Sequence, residues 1–97
     1  MSIFFMFGKY STESLKGISA ERTQKAVELI QKLGGEVKSM YSLLGEHDLV
    51  FIVELPDTEQ AVKVSIALNK LTGISFSTSP VVNVEEFDKL IGELKEV

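Results

Sequence analysis

Two short segments of this chain are apolar on both sides of an extended backbone, and they constrain its fold more than any other feature. Successive side chains of a strand point to opposite faces. In the first segment, about Ser2 to Tyr10, one face carries Phe4, Met6 and Tyr10 and the other Ile3, Phe5 and Phe7. In the second, about Asp48 to Leu55, Leu49, Phe51, Val53 and Leu55 oppose Val50 and Ile52. Strands that are apolar throughout belong in the middle of a sheet with both faces covered.

The rest of the 97 residues arranges itself around these two strands. Ser11, Thr12 and Ser19 are candidate caps for a helical stretch in which Thr23, Ala26, Val27, Ile30 and Leu33 recur at the spacing of one helix face. Gly17 is placed to split a short first turn from the main helix, and Gly34-Gly35 ends it. A second strand, about Glu36 to Leu44, carries Lys38, Ser39 and Ser42 and reads as less buried; Gly45-Glu46-His47 makes a tight reversal after it. Beyond Pro56, Asp57-Thr58-Glu59-Gln60 has the pattern of a capping box, with Gln60 expected to reach back to the cap. Ala61, Val64, Leu68 and Leu71 form the expected buried stripe of that helix, and Gly73 closes it. Ile74, Phe76 and Thr78 alternate with Ser75, Ser77 and Ser79 in a fourth strand, which Pro80 ends or marks as an edge. Asn83-Val84-Glu85-Glu86 has the pattern of another capping box and opens a last helix with Phe87, Leu90, Ile91 and Leu94 on one face.

The order β-α-β-β-α-β plus a terminal helix is the ferredoxin-like, α+β arrangement. Right-handed crossovers then predict a four-stranded antiparallel sheet of order 4-1-3-2, with the two apolar strands in the centre. A single domain over residues 1–97 is expected, with its core in 1–82 and the terminal helix over 84–96. Helices cover only one face of such a sheet. The other face is expected to pack on the sheet of a second copy, giving a homo-oligomer that is at least a dimer, with the terminal helix burying its stripe in part against a neighbouring subunit. The alternative is that the terminal helix of the same chain partly shields that face.

Composition narrows the function by exclusion. With 10 Lys+Arg against 14 Asp+Glu the net charge is −4, which argues against nucleic acid or an anionic membrane as partner. The absence of cysteine removes disulfides, thiolate metal sites and cysteine nucleophiles, and one histidine removes a multi-His metal site within one chain. No phosphate-binding glycine loop, G-x-S-x-G, H-E-x-x-H or G-x-G-x-x-G occurs, and no cofactor is expected. The short apolar N-terminus lacks the basic flank of a signal peptide, and no apolar run approaches the roughly 20 residues of a membrane span. A cytoplasmic location is the expectation.

Several local motifs converge on a family. Tyr10-Ser11-Thr12-Glu13, Arg22, Leu33-Gly34-Gly35-Glu36-Val37, Tyr41, Gly45-Glu46-His47-Asp48, Val50 and Glu54-Leu55-Pro56-Asp57 together resemble the GYD-domain family over about three quarters of the chain. That resemblance implies a dimeric α+β barrel, two ferredoxin-like sheets packed face to face, and lends no established activity. His47 stands where the family usually has Tyr, so a role specific to a phenol does not carry over. Gly45-Glu46-His47-Asp48, the strand after it, the Asp57-led helix, and Gly73-Ile74 with Ser77-Thr78 are also similar to the effector-binding domain of leucine-responsive transcription regulators. That domain binds amino acids between subunits. Without a helix-turn-helix ahead of the first strand, the chain is expected to be a stand-alone sensor module rather than a complete regulator.

Candidate ligand-contacting residues are accordingly Tyr10, Arg22, Tyr41, Gly45, His47, Asp48 and Thr78. His47 and Asp48 have two readings. In one, Gly45 supplies a positive φ and Asp48 accepts backbone N–H groups within the turn. In the other, His47 contacts a ligand or moves protons at a cleft mouth that Arg22 and Tyr10 also approach. Tyr10 and Tyr41 place phenols either in a cavity between helices and sheet or in half-buried packing. Arg22 is either a bidentate clamp for a carboxylate or a solvated helix charge. The leading expectation is an oligomeric, non-enzymatic module for a small organic ligand. A cofactor-independent enzyme of the barrel class, with His47 or a Tyr moving protons, and a purely structural assembly protein are the alternatives.

Overall fold

The computed structural model describes residues 1–94. Its elements are β1 (Ser2–Lys9), α1 (Thr12–Lys16), α2 (Ala20–Lys32), β2 (Glu36–Ser42), β3 (Leu49–Leu55), α3 (Thr58–Thr72), β4 (Ser75–Pro80) and α4 (Val84–Gly92). The strands form one antiparallel sheet of order β2-β3-β1-β4, the ferredoxin-like order expected from the crossovers. The doubly apolar strands β1 and β3 are its centre, and the serine-bearing β2 and β4 its edges.

Register sorts the side chains by face. Met6 lies opposite Phe51 and Phe4 opposite Val53, so these four share a face with Leu49 and Leu55. Ala26 and Ile30 from α2, and Ala61, Val64 and Leu68 from α3, close over that face to make the core. On the other face lie Ile3, Phe5 and Phe7 of β1 with Val50 and Ile52 of β3, bordered by the β4 serines and by an ion pair of Lys38 with Glu54 at 3.4 Å. Since α2 and α3 occupy the first face and no residue of α4 is buried, no helix shields this second one among the described residues.

Local chemistry sets the helix boundaries. Ser11 caps α1 reciprocally with Ser14: the Ser14 N–H donates to Ser11 Oγ at 3.0 Å and the Ser11 N–H to Ser14 Oγ at 2.7 Å. Gly17 ends α1, and Ser19 caps α2. Gly34 (φ +88°) and Gly73 (φ +76°) take the left-handed conformation after α2 and α3, which a side chain with Cβ adopts rarely.

Three expectations need correction here. Gln60 does not reach back to its own cap; its Nε2 donates to the Leu33 carbonyl at 2.8 Å and so closes the exposed end of α2. The last turn of the α3 stripe is Thr72, not Leu71, because position 72 lies one full turn beyond Leu68. The Thr72 hydroxyl donates to the Leu68 carbonyl (2.7 Å) and accepts from the Ile74 N–H (3.1 Å), which leaves no polar atom unpaired in the core. Finally, the link from β2 to β3 is a six-residue loop over 43–48, longer than a tight reversal.

Helix α4 stands apart from this body. Asn83 caps it, yet Phe87 is 50% exposed and Leu94 54%. A compact chain of this length has a radius of gyration of about 12–13 Å, against 15.2 Å here. The helix ends at Gly92 with Glu93 as its cap, short of the expected residue 96; residues 95–97 lie outside the described residues.

Candidate functional site

Where β1 leaves the sheet and the chain turns through α1 into α2, the layers separate around a half-open cavity of about 170 Å3. Its floor is the buried apolar set Leu49, Phe51, Leu68 and Ile74, with Met40 and Phe76 as walls. The Phe51 and Phe76 rings stand 5.4 Å apart in a tilted pair. Its mouth is polar and mixed: Tyr10, Arg22, Thr23, Tyr41 and Ser42, with exposed Ile18.

Arg22 is fixed at this mouth by its neighbours in sequence. It is the third residue of α2, where its N–H donates to the cap Ser19 at 3.0 Å. Its Nη1 donates to the Ser14 carbonyl at 2.6 Å, across the link between the two helices. Gly17 makes room for that contact, since a Cβ there would stand 2.8 Å from Nη1. No carboxylate pairs with Arg22 among the described residues.

Asp48 organises the same corner from the sheet side. Its carboxylate accepts the Tyr10 N–H at 2.8 Å, and its own N–H donates to the Gly8 carbonyl at 2.8 Å. The donor to the carboxylate is therefore Tyr10, at the end of β1, rather than an N–H within the turn. The Leu43 N–H also donates to the Asp48 carbonyl at 2.9 Å. This one residue ties the β2–β3 loop to the strand that presents Tyr10.

Of the seven candidate residues, the structure brings Tyr10, Arg22 and Tyr41 to one cavity, with Asp48 directly behind Tyr10. Tyr41 pairs with Val50, so its position belongs to the unshielded face at the rim. Gly45 lies in the loop with φ +120° and nothing near its Cα face. His47 does not join Arg22 and Tyr10: it stacks on Phe7 across the sheet, ring centroids 5.0 Å apart, beside a shallow cleft bordered by Lys9, Ser75 and Ser77. The alternation of β1 separates them, because Phe7 faces away from the side that Gly8 and Tyr10 share. Thr78 lies elsewhere again, its hydroxyl 2.6 Å from Ser65 Oγ in a groove between α3 and β4.

Sequence reading overlooked Ser14, Gly17, Met40, Phe51 and Phe76 as parts of this site. A signal for the first two was present: Arg22 sits in the first turn of a helix, where the macrodipole disfavours a cation. A local partner for it was therefore to be sought. Among the described residues no cluster of three potential metal ligands occurs, and no helix is long and apolar enough to cross a membrane.

A family model described as the GYD domain matches residues 4–91. No curated protein matches the chain. Among solved structures, the leucine response regulatory protein (LrpA) of Mycobacterium tuberculosis is similar at 14% identity and TM-score 0.57, covering 86% of this chain and 51% of its own. A feast or famine regulatory protein from M. tuberculosis complexed with L-methionine is similar at 14% identity and TM-score 0.57, covering 87% and 52%. TTHA0845 from Thermus thermophilus is similar at 26% identity and TM-score 0.55, covering 87% of this chain and 96% of its own. The chain thus spans about half the length of the regulators whose fold it shares.

Proposed function

The chain belongs to the GYD domain family, and from that premise we propose that it is a binding module for a small organic ligand, working as an assembly of identical subunits. One observation carries this reading: an apolar cavity, floored by Leu49, Phe51, Leu68 and Ile74, opens at a mouth that holds the Arg22 guanidinium and Tyr10, just past the end of β1, with Tyr41 of β2 at its rim. Ligand sites have this form, concave and mainly apolar with a few convergent polar groups. The likeness in fold to a regulator complexed with L-methionine supports the sensor reading. Tyr10 and Arg22 contact the ligand and Tyr41 borders it at the rim, while Asp48 and Gly45 position Tyr10 and the loop behind it. His47 serves the unshielded face rather than the cavity. Thr78 belongs to the α3–β4 packing.

The assembly reading rests on the second sheet face. Ile3, Phe5, Phe7, Val50 and Ile52 form an apolar surface that a second copy covers, and α4, with its apolar stripe unburied, lies along the margin of that assembly. Residues 1–82 then constitute one domain and α4 an appendage to it.

Thermal melting against a library of small organic acids, amides and amines tests the proposal. A ligand present at 100 times its dissociation constant stabilises by about 2.7 kcal/mol. One chemical class is expected to raise the melting temperature of the wild type and not of Ala26→Leu, a variant whose added side chain fills the cavity. If no class shifts the melt, or the shifts survive Ala26→Leu, the cavity is not the ligand site.

A further inference from the structure

We infer that the cavity takes a small organic monocarboxylate carrying one apolar group, a single aromatic ring or a branched chain, and that Arg22 receives the carboxylate. This rests on the reading of the cavity as a ligand site and supplies the chemical class that the reading leaves open.

Size sets the first limit. An apolar cavity of about 150 Å3 accommodates a benzene-sized ring; the cavity here measures about 170 Å3. Its apolar floor takes one ring or branched chain, with a short acid arm reaching the open mouth. Phe51, Phe76 and Met40 present the flat and polarisable surfaces against which such a group packs.

Charge sets the second. Arg22 is the one charged side chain among the described residues that line the cavity. Its Nη1 is used once, on the Ser14 carbonyl, and no carboxylate of the described residues engages the rest of the fork. A planar guanidinium with free N–H groups beside an apolar wall matches a carboxylate in two parallel hydrogen bonds. The helix offers no reason for a cation at this position, since α2 begins there and its dipole opposes positive charge. The Ser14 carbonyl and the space left by Gly17 nevertheless hold it in place. A bound carboxylate also suits the start of α2 on the same electrostatic ground.

The third limit is what the lining lacks. No Asp or Glu of the described residues faces the cavity. The α-ammonium of an amino acid would enter without a counter-charge, and a desolvated, unpaired charge is strongly disfavoured. The site therefore selects the acid over the amino acid of the same side chain.

Calorimetric titration of the full chain with phenylacetate, phenylacetamide and L-phenylalanine tests this. Phenylacetate is expected to bind at least about tenfold more tightly than either of the others, the factor that one charge-assisted hydrogen bond supplies. Arg22→Gln should bring the acid down to the affinity of the amide and leave the amide unchanged. The wild-type comparison stands even if that variant folds poorly. Equal binding of acid and amide overturns the inference, as does tighter binding of phenylalanine, or an acid preference that survives Arg22→Gln. If acid and amide bind equally and both are lost in Ala26→Leu, the cavity reading stands and the carboxylate falls. If none of the three binds the wild type, the inference is overturned, and the library screen decides the cavity reading separately.

Discussion

The two faces of the sheet are built from nearly the same residues and meet different fates. On one, Phe4, Met6, Phe51, Val53 and Leu55 are sealed beneath α2 and α3. On the other, Ile3, Phe5, Phe7 and Ile52 remain partly open, and only Val50 is buried by its neighbours in the sheet. Burying a large apolar side chain contributes about 1.5–3 kcal/mol. The first face realises that gain within the chain, whereas the second realises it only in part. The difference teaches how this small domain divides its work: the helix-covered face makes the monomer and, at the corner where its layers part, the cavity. The opposite face is the one on which the proposed assembly rests.

The largest contrast should come from one truncation on each face. Leu55→Ala, at a fully buried position, is expected to lower unfolding free energy by about 2–5 kcal/mol, read by urea denaturation. Ile52→Ala should cost the isolated subunit much less and act on self-association instead, read as a concentration-dependent melt. Equal losses that do not depend on concentration would erase the distinction between the faces.

The corner held by Asp48 sharpens the comparison next. Asp48→Ala leaves the Tyr10 N–H without its acceptor and is expected to destabilise by about 1–3 kcal/mol. His47→Ala, which removes a ring stacked on Phe7 at the margin of the open face, should change monomer stability less. A larger loss for His47 in the same denaturation series would mean that the loop is anchored from the open face.

Much of this was legible from sequence, for physical reasons that also mark the limits. Strand order followed from which segments were apolar on both faces, and helix ends from Ser19, Asp57, Asn83, Gly34 and Gly73, because caps and left-handed glycines act locally. The site was only partly legible. Tyr10 and Arg22 stood out as residue types, but that His47 belongs to the opposite face depends on where Phe7 falls in the pleat. The Asp48–Tyr10 bond joins residues 38 apart, a pairing that no local pattern announces. Gln60 likewise had a local partner in the capping pattern and took the Leu33 carbonyl instead, because packing of α3 against α2 brought that unsatisfied group within 2.8 Å.

Removal of α4 is expected to have the smallest effect on the monomer. A chain ending at residue 82 should melt close to the full chain in its monomeric form, since no α4 residue is buried, while its assembly becomes smaller. Loss of all folded protein on this truncation would show that α4 completes the core.

The measurement that bears most directly on the division between the faces is the mass of the full chain in solution, by light scattering at micromolar concentration. A sheet whose second apolar face is covered by another copy predicts at least twice the 10.7 kDa of one chain. A mass of 10.7 kDa would contradict it, because the open face would then be a solvated surface and not an interface.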